Sequence, residues 1–234
     1  MSGEAVATAA AAPGWFGKLP MLGDFASRRL PPAFVRSCDQ WLSQGLRASQ
    51  AQLGARWLDV YLTAPVWRFA WAPGVIDAQW WFGVMMPSVD AVGRYFPLLI
   101  AAERTAAPAG GDALDRLAAW YRDVGAAALA TLGDKATLEA LESALAAAPL
   151  CSAGDGDERV PSLVALATRQ RVSTPDASSV RRWATALGMH ASMHRYAGHS
   201  LWWPLQDGAG DDSLSVREGL PAATEFSLML DGGW

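Results

Sequence analysis

Three consecutive apolar segments, joined by short polar connections, constrain the fold of this chain more than any other feature of its sequence. Residues 66–71, 80–86 and 95–102 each have the length of a strand, and the last two are apolar at almost every position. Their connections, of about eight residues, are too short for the helix of a parallel crossover, so we predict antiparallel neighbours. Strands that are apolar on both faces must be covered on both sides.

The turn between the second and third segments is the first candidate for a functional site. Between Gly83 and Leu98 it carries Ser88, Asp90 and Arg94. A four-residue separation allows Asp90 and Arg94 to pair if the turn is helical, and such loop pairs commonly serve only local order. The alternative is that these side chains present a polar edge to a partner. The neighbours expected at such an edge are Lys18, Asp24 and Arg28.

Helical periodicity appears on either side of the three segments. Proline at a first helical turn and an apolar stripe predict a helix from Pro31–Pro32 to near Gly54. A helical hairpin is predicted next, with one helix from Asp112 to Gly133 and a second capped by Asp134. We predict further strands over 15–19, 200–205 and 214–217, loops over 21–30, 151–161 and 206–212, and helices over 162–171, 175–188 and 222–230.

These elements predict an α/β fold of the α+β type. Its largely antiparallel central sheet has about five or six strands and is flanked by helices on both faces. Residues 1–13 are interpreted as a disordered leader, since they are Ala-rich and lack the basic start of a signal peptide. No strong shift in composition divides residues 14–234, which we interpret as a single domain.

Composition and charge exclude several classes of function. The chain has 234 residues, of which 51% are hydrophobic, and a net charge of −4, which argues against nucleic acid or an anionic membrane as partner. No apolar run reaches the length of a membrane span. Cys38 and Cys151 are far apart and outside any metal-ligand spacing, so a reducing cytoplasm fits best.

Catalytic and metal motifs find little support. His190 and His194 have helical spacing, but Gly188 indicates that the helix has already ended, which favours surface or capping roles for them and for His199. Ser88 lacks the glycine-flanked elbow of a serine nucleophile. Most of the twelve tryptophans occupy core-facing positions. An exposed pair at Trp202–Trp203 would be the exception, because aromatic residues concentrate at interfaces.

Short motifs over residues 15–100 carry a family resemblance. They are Trp15-Phe16-Gly17-Lys18-Leu19-Pro20, Gly23-Asp24-Phe25, Leu30-Pro31, Trp41-Leu42, Tyr61-Leu62, Pro65-Val66-Trp67-Arg68-Phe69, Pro87-Ser88-Val89-Asp90 and Val92-Gly93-Arg94-Tyr95-Phe96-Pro97-Leu98. In order and spacing they resemble the TagF family, also called ImpM, which is associated with bacterial type VI secretion. The resemblance places the family core at 14–105 and the hairpin with the C-terminal strands and helix at 106–234. It also implies one shared signature, formed by Lys18, Asp24, Phe25, Ser88, Asp90, Gly93 and Arg94.

The resemblance implies a non-catalytic cytoplasmic protein that represses type VI secretion after translation by binding the forkhead-associated scaffold protein of the system. Some family members carry a PP2C-type phosphatase domain, but no segment here supplies the aspartate cluster for its two metals. No cofactor is implied. The alternatives are a hydrolase-like or phosphatase-like enzyme acting on a phosphorylated secretion component, and a structural subunit with a large apolar interface. The sequence leaves the oligomeric state open.

Overall fold

The computed structural model describes residues 11–108, 111–150, 195–205 and 214–234. Residues 1–10 of the predicted leader, the loop over 151–161, the helices expected over 162–171 and 175–188, and the loop at 206–212 lie outside these residues. Within them, no helix is both long and apolar enough to cross a membrane.

A seven-stranded sheet forms the centre of the described fold. Its strands are β1 (Gly14–Gly17), β2 (Ala26–Arg28), β3 (Trp67–Trp71), β4 (Trp80–Met86), β5 (Leu98–Arg104), β6 (His199–Pro204) and β7 (Ser215–Glu218). They lie in the order β2-β1-β5-β4-β3-β6-β7, and all six pairings are antiparallel. The predicted α+β class and antiparallel sheet are therefore confirmed.

The sheet has seven strands, whereas about five or six were predicted. The additional strand is β2, which lies within the segment predicted as a loop. Three residues are too few to show a two-residue period, and pairing with β1 is what makes them a strand. Strand β5 starts at Leu98, whereas the prediction placed its start at Tyr95. Phe96 still belongs to the turn, because its backbone N–H donates to the Ser88 carbonyl oxygen at 3.1 Å.

Five α-helices of the described residues flank the sheet. They are α1 (Pro32–Leu53), α2 (Trp57–Leu62), α3 (Gly111–Ala130), α4 (Leu138–Ala147) and α5 (Phe226–Asp231). Helix α2 was not predicted, since six residues are too short to display a helical period. The predicted cap at Asp134 is wrong. Helix α4 begins at Leu138 instead, because the Thr137 hydroxyl accepts the Ala140 backbone N–H at 3.1 Å.

Each face of the sheet carries its own buried layer. Along β4, Phe82 and Val84 belong to the layer that contains residues of α3 and α4, whereas Trp81 and Met85 belong to the layer of α1, α2 and α5. Alternate side chains of one strand thus enter opposite layers. Helices on both faces were predicted and are confirmed.

Because both faces of the sheet are covered, Trp202 and Trp203 pack into opposite layers. Trp202 is fully buried in the layer with α1, where its ring centroid lies 5.6 Å from that of Trp41. Trp203 enters the other layer, half-buried and 5.2 Å from Tyr121 between ring centroids. The two rings therefore form no exposed aromatic pair, because neighbouring residues of a strand point to opposite, covered faces.

Gly83 of β4 tests how tightly the sheet and its layers are packed. A Cβ atom there would lie 2.2 Å from the Ile100 carbonyl oxygen and 2.3 Å from Cζ of Phe69. We expect Gly83→Ala to lower the free energy of unfolding by about 1–3 kcal/mol through overpacking, measured by urea denaturation. The control Gly23→Ala, where no atom lies within 4 Å, should change it by less than about 0.5 kcal/mol. Equal losses in the two variants would contradict this packing.

Candidate functional site

Two loops meet at the end of the sheet where β1 and β4 end and β5 begins. Gly17 at the end of β1 pairs with Leu98 at the start of β5, and Leu98 also pairs with Met86 at the end of β4. The loop after β1 (residues 18–25, the first loop) and the loop between β4 and β5 (residues 87–97, the second loop) therefore leave the same end of the sheet. This register places their signature residues side by side.

A buried ion pair joins the two loops. The Lys18 ammonium donates a hydrogen bond to Asp90 Oδ2, and both residues are 3% exposed. The same oxygen accepts a hydrogen bond from the Nε–H of Arg94 at 2.7 Å. The other carboxylate oxygen, Oδ1, accepts the backbone N–H groups of Val92 at 3.1 Å and of Arg94 at 2.8 Å. Asp90 is thus surrounded by four donors, two of them cationic.

These donors control the ionisation of Asp90. Burial by itself raises the pKa of the Asp90 carboxyl. The hydrogen bonds from Lys18, from the backbone and guanidinium of Arg94 and from the Val92 backbone outweigh burial and hold that pKa well below its ordinary value. Asp90 is therefore a carboxylate throughout the neutral range and is suited to bracing, not to proton transfer.

Ser88 provides a second tie between the loops. Its hydroxyl donates to the Lys18 carbonyl oxygen at 2.8 Å. The Tyr61 hydroxyl of α2 donates to the Ser88 carbonyl at 2.9 Å and accepts the Ser88 N–H at 3.0 Å. Burial raises the pKa of Tyr61 well above its ordinary value, so this hydroxyl keeps its proton. Ser88 and Tyr61 thus fasten the second loop to the first loop and to α2.

Gly93 allows the second loop to turn back on itself. Its φ of 83° lies in the left-handed region, which favours glycine. The Gly93 N–H donates to the Asp90 carbonyl at 3.0 Å, and the Asp90 N–H donates to the Arg94 carbonyl at 3.0 Å. The Asp90–Arg94 ion pair expected for a helical turn is thus present, although this turn is not helical.

The surface of the site is formed by the remaining signature residues. Arg94 donates to the Gly23 carbonyl at 2.6 Å and lies 3.6 Å from the Asp24 carboxylate. The Phe25 ring packs edge-on against Phe96, with centroids 4.7 Å apart, and its centroid lies 4.3 Å from the Lys18 ammonium. The structure brings all seven predicted site residues together. Lys18, Ser88 and Asp90 are buried, whereas Asp24, Phe25, Gly93 and Arg94 are exposed.

Arg28, predicted to lie nearby, pairs elsewhere. Its guanidinium lies 3.7 Å from the carboxylate of Glu142 in α4. The same carboxylate accepts hydrogen bonds from the Arg29 guanidinium at 2.5 Å and from the Trp15 indole N–H at 2.6 Å. Burial raises the pKa of Glu142, but the bonds from Arg29 and Trp15 lower it overall. This group links α4 to the sheet.

Sequence reasoning missed two residues of the site. One is Tyr61, whose hydrogen bonds join it to Ser88, 27 positions further along the chain, a contact that no local pattern reveals. The other is Val92, an apolar residue of the second loop that is 68% exposed. A valine between the charged residues Asp90 and Arg94 was the available signal for it.

An apolar cleft adjoins the second loop. It is lined by Tyr61 and by apolar side chains, among them Met86, Pro97 and Leu230. The described part of the chain holds no cluster of His, Cys, Asp and Glu suited to a metal ion. His190 and His194 are outside that part.

Fold and site together define an α+β domain with a seven-stranded antiparallel sheet and two loops fastened to each other by a buried ion pair. A family model described as the TagF N-terminal domain, type VI secretion system-associated, matches residues 14–148. The chain belongs to this TagF family. The matched region extends beyond the predicted core at 14–105 and includes α3 and α4.

A solved structure supports the same assignment. The crystal structure of PA0076 from Pseudomonas aeruginosa PAO1 is similar with a TM-score of 0.70 and 37% sequence identity, over 94% of each chain. A comparison with curated proteins gives no significant match.

Removing the Lys18 ammonium tests the buried ion pair. Loss of one partner of a buried pair commonly costs about 3–5 kcal/mol, and because Arg94 still pairs with Asp90 we expect Lys18→Met to lower the free energy of unfolding by about 2–3 kcal/mol. The matched control is Lys135→Met, the other lysine, which is exposed and should change stability by less than about 0.5 kcal/mol. Chemical denaturation measures both, and equal values would contradict the assigned role.

In Asp90→Asn, the free energy of unfolding should fall less steeply than in the wild type as the pH is lowered. The pKa of Asp90 is lower in the folded state than in the unfolded state, where it is about 4. The Asp90 carboxylate therefore contributes fully to the free energy of unfolding above about pH 4, and this contribution is lost as the pH falls toward the folded-state pKa. Urea denaturation between about pH 6 and pH 2.5 should show a steeper decline in the wild type than in Asp90→Asn. Parallel declines would contradict the low pKa.

Proposed function

We propose that this protein is a non-catalytic regulator of bacterial type VI secretion, acting in the cytoplasm after translation. It represses the system by binding the forkhead-associated scaffold protein and preventing productive assembly of the secretion machine. The supporting observation is the division of the family signature into a buried group, whose polar atoms bond to one another, and an exposed group at the surface.

The buried group favours binding over turnover. Asp90 accepts four hydrogen bonds and has a lowered pKa, so it is poorly suited to act as a general acid or base near neutral pH. The Ser88 hydroxyl donates to a backbone carbonyl, whereas a serine nucleophile needs a base as its partner. These side chains therefore shape the loops and have no reactive role in the proposal.

The exposed group supplies the contact surface. The Arg94 guanidinium is held by hydrogen bonds to Asp90 and Gly23, yet the side chain is 54% exposed. A side chain that is already ordered loses little conformational entropy when a partner binds, which favours affinity. Arginine is also among the residues most often responsible for binding energy at protein interfaces.

The first test measures scaffold binding directly. The purified chain should bind the purified forkhead-associated scaffold, and its overproduction should reduce secretion without changing transcript levels. Arg94→Ala should weaken binding by about fivefold to tenfold, since an interface arginine is worth about 1 kcal/mol or more. The matched control, Arg122→Ala, removes an exposed arginine of α3 and should bind as the wild type does.

Two results would contradict this proposal. One is a folded wild-type chain that neither binds the scaffold nor alters secretion. The other is a chemical change in the scaffold, such as a loss of phosphate detected by mass spectrometry after incubation with the purified chain, which would indicate an enzyme acting on a phosphorylated component.

A further inference from the structure

We propose that Phe25 and Val92 together form an apolar contact patch that inserts into an uncharged, apolar pocket of the protein partner. The inference rests on the proposed function and assigns the surface that performs it. It adds Val92, which lies outside the predicted signature residues, and gives Phe25 the role of an anchor.

Both side chains are large, apolar and exposed. Phe25 is 46% and Val92 is 68% exposed, and each projects from a loop that the buried ion pair holds in place. The loops are tied directly beside these residues: the Ala91 N–H donates to the Leu22 carbonyl at 2.8 Å, and Arg94 donates to the Gly23 carbonyl at 2.6 Å. Phe25 and Val92 thus lie on adjoining loops that these hydrogen bonds hold together.

Phe25 is held in position before any partner arrives. Its ring is edge-on to Phe96 at 4.7 Å and stacks with Phe16 at 6.2 Å between centroids, and the Lys18 ammonium lies 4.3 Å from its centroid. Aromatic anchors in fixed conformations lose little entropy on binding and are enriched at interface hot spots. An exposed phenylalanine supported on three sides fits this role.

The charges around the contact patch identify the kind of partner. The exposed carboxylate of Asp24 and guanidinium of Arg94 lie 3.6 Å apart, and the buried charges of Lys18 and Asp90 also offset each other. The local charge is therefore close to zero. A phosphorylated peptide, a nucleic acid or an anionic membrane needs a surplus of positive charge, whereas an apolar pocket on a folded protein needs none.

The geometry therefore selects a protein pocket with a polar border. Phe25 and Val92 would fill its apolar interior, and Asp24 and Arg94 would face polar groups at its border. Apolar centres with polar borders are the usual arrangement of specific protein interfaces.

Binding of purified scaffold to three variants tests the patch. Val92→Asp places a charge in the patch at a side chain that is mostly solvent-exposed, and Phe25→Ala removes the anchor ring. Each should raise the Kd by about tenfold or more, whereas the matched control Leu129→Asp should leave it unchanged. Leu129 is 47% exposed and lies in α3, which covers the other face of the sheet. Circular dichroism and thermal unfolding verify that each variant is folded.

Salt dependence tests the neutral character of the contact. The wild-type Kd should change by less than about threefold between about 0.05 and 0.5 M NaCl, because screening acts only on charged partners. A much steeper dependence would overturn the apolar assignment.

The outcomes separate this inference from the proposed function. If wild type and folded Val92→Asp bind the scaffold equally well, the patch is wrong while the regulatory role stands. If wild type does not bind the scaffold at all, the proposed function fails and this inference fails with it. If light scattering shows wild-type dimers that Val92→Asp dissociates, the patch joins two copies of this chain and the assignment to a partner is overturned.

Discussion

The buried ion pair between Lys18 and Asp90 is the interaction on which the candidate site depends. Burying two charges is favourable only when both are paired and their remaining hydrogen-bonding groups are satisfied. Asp90 meets this condition through Lys18, Arg94 and two backbone N–H groups. The surface loops consequently have little freedom to move apart, because separation would leave both charges without these partners in a water-poor environment.

The architecture of the sheet makes this pairing possible. Strand β5 lies between β1 and β4, so the loop that follows β1 and the loop that precedes β5 emerge together. Helices on both faces bury the strands, and the Tyr61 hydroxyl of α2 adds a contact from one of these layers to Ser88. The exposed residues of the two loops, Phe25 and Val92 among them, therefore stand on a frame that extends from the core to the surface.

Family membership and geometry contribute different parts of the functional argument. The match to the TagF N-terminal domain associates the chain with type VI secretion. The geometry then separates signature residues that hold the loops together from those that can touch another protein. Such a separation matters because substituting a buried residue such as Asp90 disturbs the fold as well as the surface, whereas substituting Val92, 68% exposed, alters chiefly the surface.

The sequence by itself determined the elements with strong periodicity and the identity of the signature residues. Helix α1 and strands β3 and β4 were predicted almost to the residue, because their apolar patterns are long or continuous. The short elements β2 and α2 appear only through their pairing and packing. Tertiary structure alone decided which signature residues are buried, since Lys18 and Asp90 are 72 positions apart and meet only through strand register.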